Sequence, residues 1–346
     1  MSAKIRRATL ATVAASAGVS VATVSKVVNG RADVGPATRA RVESLLRQHD
    51  YIGPRPTAPR RSAATTRVEL MFAGPLSAYS TEVIQGVLEA GREAGASVAI
   101  SVHPEGQRLT EAGRPRTWAR DLAAAGRQAV IAVVDELTAA DVTALARVHL
   151  PLVVIDPLNL PPSRVTSVGS TNFAGGMAAT QHLLSLGHRC IAYLGGPQMA
   201  ACNQARLHGY RAAMEAAGLS VPDGYVRSGH FRYADGVIGG AALLDLPEPP
   251  TAVFAGSDES AAGVLEAARA RGLRIPEDLS VVGFDDTEVA RLASPPLTTV
   301  RQPLREMGGV ALRTALRLAN GERLDSHHVE LATELVVRGS TAPPAR

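Results

Sequence analysis

The 346-residue chain has only two cysteines, Cys190 and Cys202, a single tryptophan and 3% aromatic residues. Two cysteines without CxxC spacing or a matching histidine cluster give neither a disulfide framework nor a zinc site, and they read as small core residues. Long apolar runs are missing too. The longest are short, as in AVIAVV over 129–134, far below the roughly 20 residues of a membrane span. The N-terminus MSAKIRRATL shows no apolar stretch behind its charges, so no secretory signal is read there and a cytoplasmic location is expected. Walker, HExxH, GxSxG and strand-following GxGxxG patterns are absent, and no histidine stands at catalytic spacing from an acid. An enzyme is therefore not expected, nor a metal, nor an organic cofactor.

Acidic residues are scarce at one end only. Residues 1–67 hold 12 Lys+Arg and 3 Asp+Glu, a net of +9, while the other 279 residues hold 24 and 29, a net of −5. A concentrated positive field suits a polyanion, although a solubilising basic face has the same composition. The pattern beneath the charge decides. Thr9 can N-cap a helix whose stripe is Leu10, Val13, Ala14 and Ala17. Gly18 stops it, and Ser20 caps a second helix with Val24, Val27 and Val28 inside. Gly35-Pro36 opens a third, with Val42, Leu45 and Leu46 inward and Tyr51 and Ile52 closing the core. Two helices joined by a short glycine-containing turn form a helix-turn-helix. Its second helix enters the DNA major groove by its N-terminal side chains. Val21, Ala22 and Lys26 are then expected to face bases, Lys26 alone donating to guanine. Thr9, Ser20, Thr23, Ser25, Asn29 and Thr38 are suited to phosphates.

The stretch ATLATVAASAGVSVATVSKVVNGRADVGPATRARVESLLRQHDYI resembles the headpiece of the lactose/galactose repressor family, most specifically in AGVSxxTVSxVVN. Val21 and Ala22 are apolar where many members carry larger or polar side chains, so a different operator centre is expected. Residues 53–67 (GPRPTAPRRSAATTR) form a basic, proline-rich linker. The resemblance implies a short hinge helix with a leucine wedge here. Pro56 and Pro59 oppose that helix, and Arg60 stands at the leucine's place. Two readings stay open: Arg55, Arg60 and Arg61 enter a narrow minor groove, or the segment is a tether with loose phosphate contacts.

From residue 68 the pattern alternates. Short apolar runs (68–73, 97–102, 129–134, 152–156, 190–194, 251–255, 279–284) are separated by helical stretches (82–94, 138–146, 173–186, 203–217, 235–244, 260–271). Such alternation implies an α/β fold of doubly wound parallel sheets, and its length implies two lobes over 68–341. Ligands in these folds bind at the carboxyl ends of strands. Asp156, Asp285 and Arg206 stand near such ends, and carboxylates with a guanidinium fork suit a polyol. Tyr79, Phe231 and Trp118 are available as aromatic faces. Asp258 and Asp286 read better as cap, turn or subunit-interface residues.

VIDPLNLPPSRVTSVGSTNFAGGMAATQHLLSLGHRCIAYLGGP, TAVFAGSDESAAGVLEAARARGLRIPEDLSVVGFDDTEVARLASPPLTTVRQP and ELVVRGST are similar to the same family's effector domain, which is periplasmic-binding-protein-like. The resemblance implies effector contacts at Asp156, Arg206 and Asp285, stacking at Phe231, Tyr79 on the N-terminal lobe, and Gln302 beside the pocket. Ser257 and Val133 replace polar contacts found elsewhere in the family. It also implies a homodimer without a tetramerising tail, and hinge crossings near 170–172, 294–297 and 320–325. The expected function is a transcriptional repressor that binds a palindromic operator in double-stranded DNA, with a mono- or disaccharide effector. The alternatives are activator or co-repressed behaviour, a non-sugar effector and, more remotely, a sugar receptor.

Overall fold

The computed structural model describes residues 10–28, 34–48, 65–103, 115–133, 137–157 and 165–345. The chain divides into two compact units, Met1–Ala64 and Thr65–Arg346. The boundary lies within the expected linker.

Among the described residues of the first unit three helices form: α1 (Leu10–Ala17), α2 (Val21–Val28) and α3 (Pro36–Gln48). Gly18, at φ 65°, ends α1. Gly18 N–H donates to Ala15 O and Val19 N–H to Ala14 O, the paired bonds of a Schellman stop. Ser20 then caps α2, its Oγ accepting from Thr23 N–H at 3.1 Å. Val13, Ala14, Ala17, Val24, Val27 and Val42 close a small core, with Leu45 and Leu46 against it. This is the inward face expected from the spacing. Tyr51 and Ile52 lie outside the described residues.

Among the described residues of the second unit, two six-stranded sheets form. The first runs β11-β5-β4-β3-β1-β2, built from β1 (Arg67–Ala73), β2 (Ser97–His103), β3 (Ala129–Val133), β4 (Leu152–Ile155), β5 (Thr166–Ser170) and β11 (His328–Leu331), all parallel. The second runs β12-β10-β9-β8-β6-β7. Its strands are β6 (Ile191–Leu194), β7 (Val226–Arg227), β8 (Ala252–Ala255), β9 (Ser280–Asp285), β10 (Thr298–Arg301) and β12 (Glu334–Val336). Only the edge pair β10–β12 is antiparallel among these ladders. The central strands are buried on both faces, which is why they read as continuous apolar runs. Val68, Leu70 and Phe72 pack on one side of the first sheet and Met71 on the other. In the second sheet Leu194 and Val253 face one core, and Tyr193 and Phe254 the opposite one.

The helices α4 (Ala78–Ala94), α5 (Pro115–Ala124), α6 (Ala139–Arg147) and α12 (Leu304–Ala319) cover the first sheet. The second is covered by α7 (Asn172–Ser185), α8 (Ala201–Ala216), α9 (Tyr233–Leu244), α10 (Asp258–Arg269) and α11 (Glu288–Leu292). The sequence pattern does not single out α5 or α12.

Three helix pairs meet backbone to backbone on reciprocal glycines. A Cβ on Gly86 of α4 would lie 1.9 Å from Arg305 O, and one on Gly308 of α12 would lie 2.4 Å from Val83 O. Gly176 of α7 and Gly209 of α8 answer each other at 2.3 Å from Arg206 O and 2.2 Å from Phe173 O. Gly236 of α9 and Gly263 of α10 do so at 2.1 Å from Ser260 O and 2.2 Å from Tyr233 O. No side chain fits at any of these crossings.

The chain leaves the first sheet after Ser170 and returns after Arg301, since α12 already packs on β3, β4 and β5. It crosses a last time between Leu331 and Glu334. Two expected crossings are therefore corrected. Residues 294–297 lie within the second lobe, where Leu297 is a core residue and β10 still follows. Residues 320–325 lie between α12 and β11 of the first lobe. The observed crossings are tied by side chains. Thr333 N–H donates to Thr171 Oγ1 at 2.9 Å. Ser170 Oγ donates to Gln302 Oε1.

Candidate effector cleft and DNA-reading helix

On α2, Val21 is 47% exposed, and Ala22 and Lys26 are exposed beside it. Thr23, Ser25 and Thr38 are half-buried. The hydroxyls of Ser20 and Thr23 lie 2.9 Å apart and serve the helix cap. Thr9, Asn29, Arg55 and Arg60 lie outside the described residues.

In the second unit the expected effector residues converge from both lobes. Asp156 follows β4 in a left-handed conformation (φ 44°), with its N–H on Val168 O. Its Oδ2 accepts from the Tyr79 hydroxyl at 2.7 Å; Tyr79 sits in the first turn of α4. The second lobe supplies Arg206 from α8, 3% exposed. Arg206 Nε donates to Asn172 Oδ1 at 2.7 Å and Nη1 to Gly256 O at 2.6 Å. Its guanidinium lies 3.8 Å from the centre of the Phe284 ring and 5.3 Å from that of Phe231. Such contacts stabilise a desolvated cation.

Phe231 is itself held in place. Its φ is 63°, costly for an aromatic residue. Ser257 Oγ donates to its carbonyl at 2.7 Å. Its ring fills a slot so close to the chain that a Cβ on Gly196 would come within 2.2 Å of it. Ser257, also the N-cap of α10, therefore orients the aromatic face. Asp285 ends β9 at φ 117°. Its Oδ1 accepts from Gln302 Nε2 at 2.6 Å, and Gln302 also accepts from Ser170. Gln302 thus links the cleft carboxylate to the first crossing by both ends of its amide.

Neither Asp156 nor Asp285 comes within ion-pair distance of Arg206, yet all three are buried together. Burial raises the carboxyl pKa of Asp156, and that of Asp285 well above the ordinary range, while the Arg206 charge pulls both down. Burial, and then the Asp156 charge, push the Tyr79 hydroxyl up, so it remains a donor. Two acceptor carboxylates, a guanidinium and aromatic faces can together hold a polyhydroxylated ring.

Other candidates fall elsewhere. Trp118 packs in the core around Met71 and Ala119, on the face of the first sheet opposite α4, so it offers no cleft surface. Val133 is a core residue of β3. His230 and Asp235 form a spatial pair at 3.5 Å that sequence spacing does not reveal; it is largely exposed at the start of α9. Among the described residues no group of three His, Cys, Asp or Glu is arranged to hold a metal. Sequence reasoning missed Asn172, Phe284 and Ser170, which support Arg206 and Gln302 from behind. Only their position next to strand ends marks them.

Asp286 ion-pairs with Arg301 at 2.7 Å and with Arg338. Asp258 is fully buried. It accepts from Thr287 N–H at 2.7 Å, Thr287 Oγ1 at 3.0 Å and Thr299 Oγ1 at 2.6 Å. Both aspartates brace the loop that presents Asp285. Burial pushes the Asp258 carboxyl up to about 7, against the pull of its hydrogen bonds. The folded chain then keeps a proton that the unfolded chain releases near about pH 4. Stability from this group is complete below about pH 4 and is lost as pH rises through about 7. Denaturation at about pH 4 and about pH 8 should show a steeper fall in the wild type than in Asp258→Asn, which keeps only the share due to the other buried carboxyls, Asp156 and Asp285. Parallel pH slopes for the two proteins would refute it.

A three-helix DNA-reading fold and a two-lobed receptor domain on one chain define a ligand-responsive DNA-binding protein. Residues 9–53 match the family model described as bacterial regulatory proteins, lacI family, and residues 180–341 match a periplasmic binding protein-like domain. The transcriptional regulator CelR of Thermobifida fusca is 36% identical over 340 residues, covering 97% of this chain and 98% of that protein. A structure of a CelR–cellobiose complex superposes with a TM-score of 0.72 at 34% identity, over 96% of this chain and 100% of that one. The lac repressor dimer bound to operator and an anti-inducer gives a TM-score of 0.74 at 26% identity, over 97% of this chain and 100% of that one. The chain belongs to the lacI family of bacterial regulatory proteins.

Proposed function

We propose that this regulator is a repressor, that it binds a palindromic operator as a homodimer through α2, and that a neutral sugar in the interlobe cleft controls it. The observation that carries this reading is the convergence of Asp156 and Asp285, at strand ends of the two lobes, with Arg206 of α8, beside the glycine-seated Phe231. Val21, Ala22 and Lys26 read bases, and Ser20, Thr23, Ser25 and Thr38, with Thr9, Asn29, Arg55 and Arg60, lie against the DNA backbone or minor groove. Apolar surface supports the dimer: β2 is a sheet edge carrying exposed Ile100 and Val102, with exposed Leu88 on α4, and Ile238 and Leu292 are exposed in the second lobe. No described helix is long and apolar enough to cross a membrane. The protein acts in the cytoplasm and turns over no substrate.

Cellobiose is the first effector to test, because CelR is solved with it. The protein is titrated onto DNA from upstream of its own coding region at two salt concentrations, with and without cellobiose and a panel of other mono- and disaccharides. Saturable binding is expected that weakens with salt, and one sugar should raise the midpoint by about 10-fold or more. Tighter binding with a sugar would make the protein co-repressed. Indifference to every sugar would remove the sugar assignment.

A further inference from the structure

Glu259 is the second residue of α10, in the second lobe. Its Oε1 accepts a 2.9 Å hydrogen bond from the backbone N–H of Ala78, in the first lobe. Ala78 opens α4, and the first N–H groups of a helix have no partner within it. The Ser77 cap serves Ser80 N–H, so Ala78 N–H is met from outside the helix. The carboxylate that meets it is rooted in the amino end of another helix. One negative charge thus compensates the positive ends of two helices that belong to different lobes. The next residue of α4 is Tyr79, whose hydroxyl is set on Asp156.

We propose that Glu259 is a positioning residue for the effector site: a clamp formed without ligand that draws the amino end of α4 onto the second lobe, fixes Tyr79 over Asp156 and slows the release of a bound sugar. The contact is charge-assisted and directional, and Glu259 reaches Tyr79 through α4. Its effect on sugar release rests on the sugar reading above. The clamp itself does not.

The test uses the full-length protein and has two arms. In the first, without ligand, amide hydrogen exchange is followed in the first turn of α4 for wild type, Glu259→Ala and Glu259→Gln. Exchange at Ala78 should be about 10-fold faster in Glu259→Ala. Glu259→Gln, which keeps an acceptor oxygen without the charge, should fall between, and α10 should exchange as in the wild type. In the second arm cellobiose release is measured by stopped flow. Release should quicken by about 10-fold in Glu259→Ala, with association little changed. Unchanged exchange in Glu259→Ala overturns the clamp whatever the sugar result. Faster exchange with unchanged release overturns the positioning role. If wild type does not bind cellobiose, the sugar reading bears that failure and the exchange arm decides the clamp.

Discussion

Arg206→Ala should leave operator binding intact and abolish its release by sugar. The Arg206 charge pulls down the carboxyls of both Asp156 and Asp285. Removing it leaves two buried carboxylates without their compensating charge, and strips Asn172 Oδ1 and Gly256 O of a donor. Each buried acceptor left unpaired costs about 1–3 kcal/mol, and the cation that faces the ligand is lost with them. If most of that falls on the liganded state, sugar affinity drops by about 100-fold or more. Arg206→Lys guards against the case in which the alanine variant does not fold. An ammonium cannot bridge Asn172 and Gly256 while lying flat on Phe284, so this variant should also lose the response. Calorimetric titration with cellobiose, paired with operator release, decides the matter. A sugar affinity within about threefold of wild type in both variants would remove Arg206 from the site.

The second large effect should appear in the first unit. Val24 is fully buried in a core whose described members are valines, alanines and leucines. A headpiece of this size commands only a few kcal/mol in all. Val24→Asp places an unpaired carboxyl there, at a cost of several kcal/mol. The headpiece should unfold and specific operator binding should fall by about 100-fold or more. The unit Thr65–Arg346 has its own cores and should keep its thermal transition and its sugar affinity. Loss of both activities together would mean that the two units do not fold separately.

These two sites differ in how plainly the sequence announces them. The headpiece is legible because each of its rules is local. Gly18 stops α1, Ser20 caps α2, and Val24, Val27 and Val42 recur at helical spacing. The central strands are legible for another reason: burial on both faces leaves unbroken runs such as Ala129–Val133. Asp156 and Asp285 follow from their place at strand ends and Arg206 from the helix that follows β6, and the structure brings them together. What fails to show are relations across the chain. The crossing at Arg301–Leu304 carries no local mark, because it is defined by which sheet β10 and α12 join. Trp118 looks like a free aromatic until its sheet face is known. Asn172 and Ser170 matter only through Arg206 and Gln302, partners remote in sequence. Glu259 reads as one more acidic residue in a helix's first turn, because its partner lies 181 residues away.

The reciprocal glycines have a mechanical meaning. Where Gly86 meets Gly308, Gly176 meets Gly209 and Gly236 meets Gly263, main chain rests on main chain. Side chains can change rotamer and absorb a push; bare backbone at such range has no slack to give. Each lobe is accordingly stiff, and compliance is left to three thin strands at Thr171, Gln302–Pro303 and Ala332–Thr333. Gly209 sits one helical turn from Arg206, so a tug on that guanidinium is passed to α7 and α8 as a block. Work done by a small ligand is then not dissipated as breathing of the lobe. It should emerge as rotation about the pivots, with the lobe as the lever arm.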